Sequence, residues 1–135
     1  MLKIRNAKRK DIAACLAAQA SEGDKEFSRK DYLRSVKDPK AIFLVAELNG
    51  KVVGYSLVFI VPTKNSEAIV HSTMVNRKFR RQNIGSKLVQ SFIKAAFRKG
   101  VKQIFAMVEK GYPYNFYKKC GFKKTAFWYE MSVKK

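Results

Sequence analysis

The run of residues 67–108 restricts the possible folds of this chain more than any other stretch. Residues 67–75 alternate as a β-strand, and residues 76–83 are basic and turn-prone. Apolar side chains then fall at 84, 88, 92, 93, 96 and 97, one face of a helix that Gly100 should end. Residues 101–108 read as a strand again. A long helix between two strands permits a parallel crossover within one sheet. The loop at the helix start also gathers unpaired backbone N–H groups, the positive end of the helix dipole and cationic side chains. It is therefore a site for an anion, a diphosphate above all.

The flanking segments supply the rest of the sheet. Two β-rich runs, 42–48 and 51–60, flank Asn49-Gly50, the strongest local signal for a hairpin. Residues 2–6 alternate as a first strand. Asp11 can cap a helix to about Ala20, and Ser28 or Asp31 starts a second helix that stops before Pro39. A short helix lies between Tyr112 and Lys119, ended by Gly121, and residues 125–133 read as a last, aromatic-rich strand. This order predicts an α/β (α+β) fold with a mixed, mostly antiparallel central sheet and helices on both faces. With no internal repeat or linker, residues 1–135 are expected to form one domain.

No apolar run approaches the roughly 20 residues of a membrane span, and the N-terminus lacks the apolar stretch of a signal peptide. A cytoplasmic location with Cys15 and Cys120 as reduced thiols is expected. The formal charge of +19 is uneven: residues 68–135 carry +14 and residues 1–67 carry +5. Such a surface attracts a polyanionic cofactor, nucleic acid or ribosomes, or serves solubility alone.

Two common phosphate motifs fail. A P-loop needs a glycine upstream of Gly-Lys-Ser/Thr, and Gly85-Ser86-Lys87 has none; a dinucleotide fingerprint needs three spaced glycines, and only Gly85 is present. What remains is Arg80-x-x-Asn83-x-Gly85, in which Gly85 allows close backbone approach and Asn83 tolerates the left-handed conformation.

With the element order, this loop resembles the acyl-CoA loop of the Gcn5-related N-acetyltransferase (GNAT) family, Gln/Arg-x-x-Gly-x-Gly/Ala; Asn83 replaces a glycine. The hairpin around Asn49-Gly50 is similar to that family's central hairpin. Phe116-Tyr117-Lys118-Lys119-Cys120-Gly121-Phe122 is similar to its C-terminal Phe-Tyr-x-Lys-x-Gly-Phe. The resemblance covers residues 42 to 122 and implies an acyl-CoA N-acyltransferase-like fold. It also implies acetyl-CoA as acyl donor, an amine acceptor (peptide, protein or small molecule) and no metal. Lys110 and Pro113 depart from frequent family residues.

Carried over by position, Arg80, Arg81, Gln82, Asn83, Ile84, Gly85 and Ser86 would hold the pyrophosphate, with Arg77, Lys78 and Lys87 adding charge. Thr73, Met74 and Val75 lie where the family's cofactor strand pairs with the pantetheine arm, through a splay from the strand at 101–108. Acetyl transfer needs a neutral amine, donors for the oxyanion and a proton for the leaving thiolate. Tyr117 is the implied proton donor. Glu67, His71 and Glu109 are open choices for the base, as is a chain of water; Glu67 and His71 share one strand face. Tyr112, Tyr114, Phe127, Trp128 and Tyr129 are candidates for the acceptor pocket or ordinary packing. Tyr32 and the loop 21–27 sit where relatives close over the acceptor, and Glu22, Asp24 and Glu26 there would suit a cationic amine. The competing reading is a basic nucleic-acid- or ribosome-associated module, and a monomer or homodimer is expected.

Overall fold

The computed structural model describes residues 1–64, 66–108, 112–126 and 131–135, with Tyr112 described by its backbone. Among the described residues, five strands form one sheet in chain order: β1 (Leu2–Asn6), β2 (Ala41–Leu48), β3 (Lys51–Val61), β4 (Glu67–Val75) and β5 (Gln103–Phe105). β1 to β4 pair antiparallel, while β4 and β5 pair parallel, so the sheet is mixed and mostly antiparallel. Asn49 and Gly50, at φ 51° and 82°, make the tight turn between β2 and β3 that right-twisted strands favour.

Helices cover both faces. α1 (Ile12–Ser21) and α2 (Arg29–Lys37) bury Ile12, Cys15 and Tyr32 against Phe43, Val45, Tyr55 and Leu57. α3 (Ile84–Arg98) buries Leu88, Val89, Phe92 and Ala96 against Ile42, Leu44, Val58 and Val70 on the other face. Gly100, at φ 86°, stops that helix as expected. α2 begins with a capping box: Ser28 Oγ accepts from the Asp31 N–H, and the Asp31 carboxylate accepts from the Ser28 N–H at 2.8 Å. A fourth helix, α4 (Tyr112–Lys119), follows β5.

Three local expectations are corrected. Asp11 does not cap α1 with its side chain. Its carboxylate turns back to accept the Lys8 N–H at 2.7 Å and a two-pronged Arg5 guanidinium at 2.7 and 2.9 Å. The strand expected over 101–108 shrinks to Gln103–Phe105. Of the strand expected over 125–133, residues 125, 126 and 131–133 are not in strand, and 127–130 lie outside the described residues. Both cysteines are unpaired thiols, Cys15 buried and Cys120 half-buried.

Two bulges shape the pairing of β3 with its neighbours. Val53 is the extra residue between the Ala46–Gly54 and Glu47–Val52 pairs, and His71 that between Leu57–Ser72 and Val58–Val70. A bulge reverses the faces of the side chains beyond it. Val70 therefore packs toward α3, whereas Met74 packs toward α1 and α2.

Candidate active site

β4 and β5 pair only from Glu67–Gln103 to Ile69–Phe105. β4 runs on to Val75, so the two strands splay into a wedge, and Thr73, Met74 and Val75 lie at its open end. The wedge leads to the basic loop. There the Asn76 N–H donates to the carbonyl of the Val53 bulge at 2.8 Å, and Asn76 Oδ1 accepts the Lys78 N–H at 3.1 Å. Gly54 pairs with Val75, and the approach is tight: a Cβ at position 54 would stand 2.8 Å from the Met74 carbonyl oxygen. A glycine there lets β3 pin the end of β4.

The loop takes a path that a string of ordinary residues resists. Arg81 and Asn83 have φ 66° and 59°, and Asn83, with ψ 20°, is left-handed at the position where the resembling loop has glycine. α3 then starts with no side-chain cap, so the N–H groups of its first turn lack intrahelical partners. Left-handed residues directly before those N–H groups form a concavity suited to phosphate oxygens. Gly85 has a role the sequence did not disclose: a Cβ there would come within 3.2 Å of the Phe116 ring. Its smallness lets α4 lie against the start of α3.

α4 aims Tyr117 at the wedge. The chain leaves the helix in a Schellman turn, in which the Gly121 N–H donates to the Lys118 carbonyl at 3.1 Å and the Phe122 N–H to the Tyr117 carbonyl at 3.0 Å; Gly121 has φ 98°. This folds the Phe122 ring back to 5.2 Å from the Tyr117 ring, which also meets the Phe116 ring at 5.1 Å. The spacing of the Gly-Phe pair thus serves to lock the tyrosine. Its hydroxyl donates to Thr73 Oγ1 at 3.4 Å, and Thr73 shares a hydrogen with the fully buried Ser56 at 3.0 Å. Burial pushes the Tyr117 phenol above its ordinary pKa despite the Thr73 bond, so it keeps its proton at neutral pH.

The base candidates are spread along β4. His71 stands on the α1–α2 side of the sheet with its ring 4.2 Å from Phe27 and 6.1 Å from Phe59, and Nδ1 is 3.2 Å from Ser72 Oγ. Glu67 lies at the narrow end of the wedge, in an apolar groove of about 270 Å³ lined by Val61, Ile69, Phe105 and Met107. Glu109, the side chain of Tyr112, and Phe127, Trp128 and Tyr129 lie outside the described residues. Tyr32 is a core residue rather than a lid: it is fully buried, and its hydroxyl meets that of Tyr55 at 2.7 Å.

The end of α1 is docked on the basic loop before α3. Arg80 forms an ion pair with Glu22, and Ser21 Oγ accepts the Arg77 N–H at 3.1 Å. Gln19 holds both backbone groups of Phe27, at 2.9 and 3.0 Å, and so fixes the segment between α1 and α2. These contacts, and the Ser56–Thr73–Tyr117 hydroxyl chain, escaped the sequence reading. A lone serine in the apolar run 55–60 and an acidic loop in a basic chain were the available signals.

A mixed sheet opened between two parallel strands, leading to an uncapped helix start, defines an acyl-CoA N-acyltransferase-like fold. An aminoglycoside acetyltransferase from an uncultured soil metagenomic sample, solved with sisomicin, shares it with a TM-score of 0.81 at 20% identity, over 98% of this chain and 97% of that one. Residues 9–122 match the model of the acetyltransferase (GNAT) family, and the chain belongs to that family. It is similar to an N-alpha-acetyltransferase of Sulfurisphaera tokodaii, 28% identical over 91% of this chain and 81% of that protein. A Xenopus tropicalis protein named "Probable N-acetyltransferase camello" is 33% identical over 73% of this chain and 48% of its own length. The protein is thus a GNAT-type acetyltransferase. Among the described residues, no helix is long and apolar enough to cross a membrane.

Proposed function

We propose that this protein transfers the acetyl group of acetyl-CoA to the α-amine of a polypeptide, in the cytoplasm. The observation that carries the donor site is the wedge: β4 extends from its last β5 pair at Ile69 to Val75 and passes directly into the left-handed loop and uncapped α3. The edge of β4 at 73–75, which β5 does not pair, suits the amide groups of the pantetheine arm, which can pair with it as a strand does. The N–H groups of residues 81–86 suit the pyrophosphate, and Arg77, Lys78, Arg81 and Lys87 supply the countercharge. Arg80 would exchange Glu22 for phosphate.

The reaction needs no nucleophile from the protein, because the thioester is already activated. The amine nitrogen bonds to the carbonyl carbon, the C–S bond breaks, the amine loses a proton and the sulfur gains one. Tyr117, held protonated beside Thr73 on the α4 side of β4, gives the proton to sulfur. His71 and Glu67 lie on the opposite side of the same strand, where the amine's proton would leave directly or through water. A polypeptide α-amine is favoured among acceptors by the name of the Sulfurisphaera relative. The acidic segment with Glu22, Asp24 and Glu26 suits a cation.

Release of free thiol from acetyl-CoA, measured against N-terminal peptides, lysine peptides and aminoglycosides, tests both halves. N-terminal peptides should give the highest rate, and Tyr117→Phe should lower kcat about 100-fold with little change in donor affinity. Full activity of the Phe variant would remove Tyr117 as the acid. Faster turnover of aminoglycosides would remove the polypeptide acceptor.

A further inference from the structure

We infer that the outer ridge of α3 is a docking surface for a nucleic-acid strand, gripped through its phosphates. The observation is a one-sided charge. Residues 68–108 contain nine Lys and Arg and no Asp or Glu. Four of these cations (Arg77, Lys78, Arg80, Arg81) belong to the donor loop. The others continue along α3 and past its end, away from the wedge.

At about 100° per residue, Lys87, Lys94 and Arg98 fall within about 40° of one another, opposite the buried line of Leu88, Phe92 and Ala96. All three are exposed, as is Lys99. Among the described residues, none of the four makes an ion pair. Part of the arrangement is unfavourable to the helix. Lys94 and Arg98 are like charges at i,i+4, and Lys87 opposes the dipole in the first turn, while only Arg98, in the last turn, complements it. A helix serving only solubility would interleave carboxylates. This one has none, and an anion lying along it removes the repulsion.

The geometry selects the occupant. From Lys87 to Arg98 the ridge is about 16 Å long at 1.5 Å per residue, the axial length of four or five phosphates on one strand at about 3.4 Å each. Gln90 and Ser91 lie between the cations and add hydrogen-bond donors. Phe97, at 54% exposure, flanks the ridge as a single aromatic platform beside it. A membrane surface would need the helix's apolar face, which is buried in the core. A folded protein partner would need an apolar patch centre, and among the described residues the ridge offers only Phe97 as an exposed large apolar side chain.

The test is binding of a fluorescent single-stranded RNA or DNA 12-mer, or its duplex, to the full chain across a series of salt concentrations. A triple variant, Lys94→Gln/Arg98→Gln/Lys99→Gln, should lower the slope of log affinity against log salt by about 2 for the single strands. It should leave acetyl-CoA-dependent thiol release unchanged. Phe97→Ala should weaken single-strand binding several-fold at constant slope. The control triple Lys30→Gln/Lys37→Gln/Lys40→Gln, exposed positions at α2 that remove the same charge, should change the slope little. Equal losses from both triples would overturn the ridge in favour of diffuse attraction. So would tighter binding of poly-glutamate or of anionic vesicles than of the oligonucleotides.

Discussion

Asn83 holds a backbone conformation that usually costs a side-chain-bearing residue about 1 kcal/mol or more, and its side chain makes no capping bond in return. Asparagine tolerates the conformation better than most residues, which is why it can stand where the resembling loop has glycine. Asn83→Gly should therefore keep or slightly raise stability and keep activity. Asn83→Ala should destabilise by about 1 kcal/mol and weaken acetyl-CoA binding, because the loop would relax away from its left-handed path. Urea denaturation and donor titration of the two variants check this; equal behaviour would show that the loop does not require the conformation. The position was legible in the sequence because its constraint is local. Gly85 was not, because its constraint is the Phe116 ring, 31 positions away.

At the scale of elements, the end of β4 is fixed by its neighbour. The bulge at Val53 turns a carbonyl to the Asn76 N–H, and Gly54 lets Met74 and Val75 lie close against β3. The nearest atom to a Cβ at position 54 is a backbone oxygen, which cannot rotate aside. Gly54→Ala should destabilise by about 1–3 kcal/mol and raise the KM for acetyl-CoA more than that for the amine, since it would displace the strand proposed to pair with the pantetheine arm. A lowered denaturation midpoint with an unchanged donor KM would show that the wedge is set elsewhere. The strand itself was readable from its alternation, but the length of its pairing with β5 was not. Residues 106–108 continue the apolar run of 104–105, yet only 103–105 meet β4.

For the whole molecule, the core is built around neutral titratable groups. Burial first, and then Asp11, pushes the Cys15 thiol from 9.0 up to about 12. Burial raises the phenols of Tyr32, Tyr55 and Tyr117 above 10.0. Each folded-state pKa lies above its unfolded value, so the fold favours the protonated form. The contribution is complete below pH 9 and declines as pH rises from 9 to 12. The denaturation midpoint should accordingly hold between about pH 7 and 8.5 and fall from about pH 9, with Cys15→Ala shifting the onset toward pH 10. An unchanged onset in that variant would show that the thiol is not the first group to ionise.

The amino-acid sequence by itself determined the order of the first five strands and of the four helices, the Asn-Gly hairpin, the left-handed Asn83 ahead of α3 and the GNAT resemblance. All of these rest on spacings of a few residues along one chain segment. Tertiary structure alone decided the length of the wedge, the direction of Tyr117, the burial of Tyr32 and the pairing of Arg80 with Glu22. Each depends on groups from distant segments meeting in space, where steric fit and shared hydrogen bonds outweigh local preference.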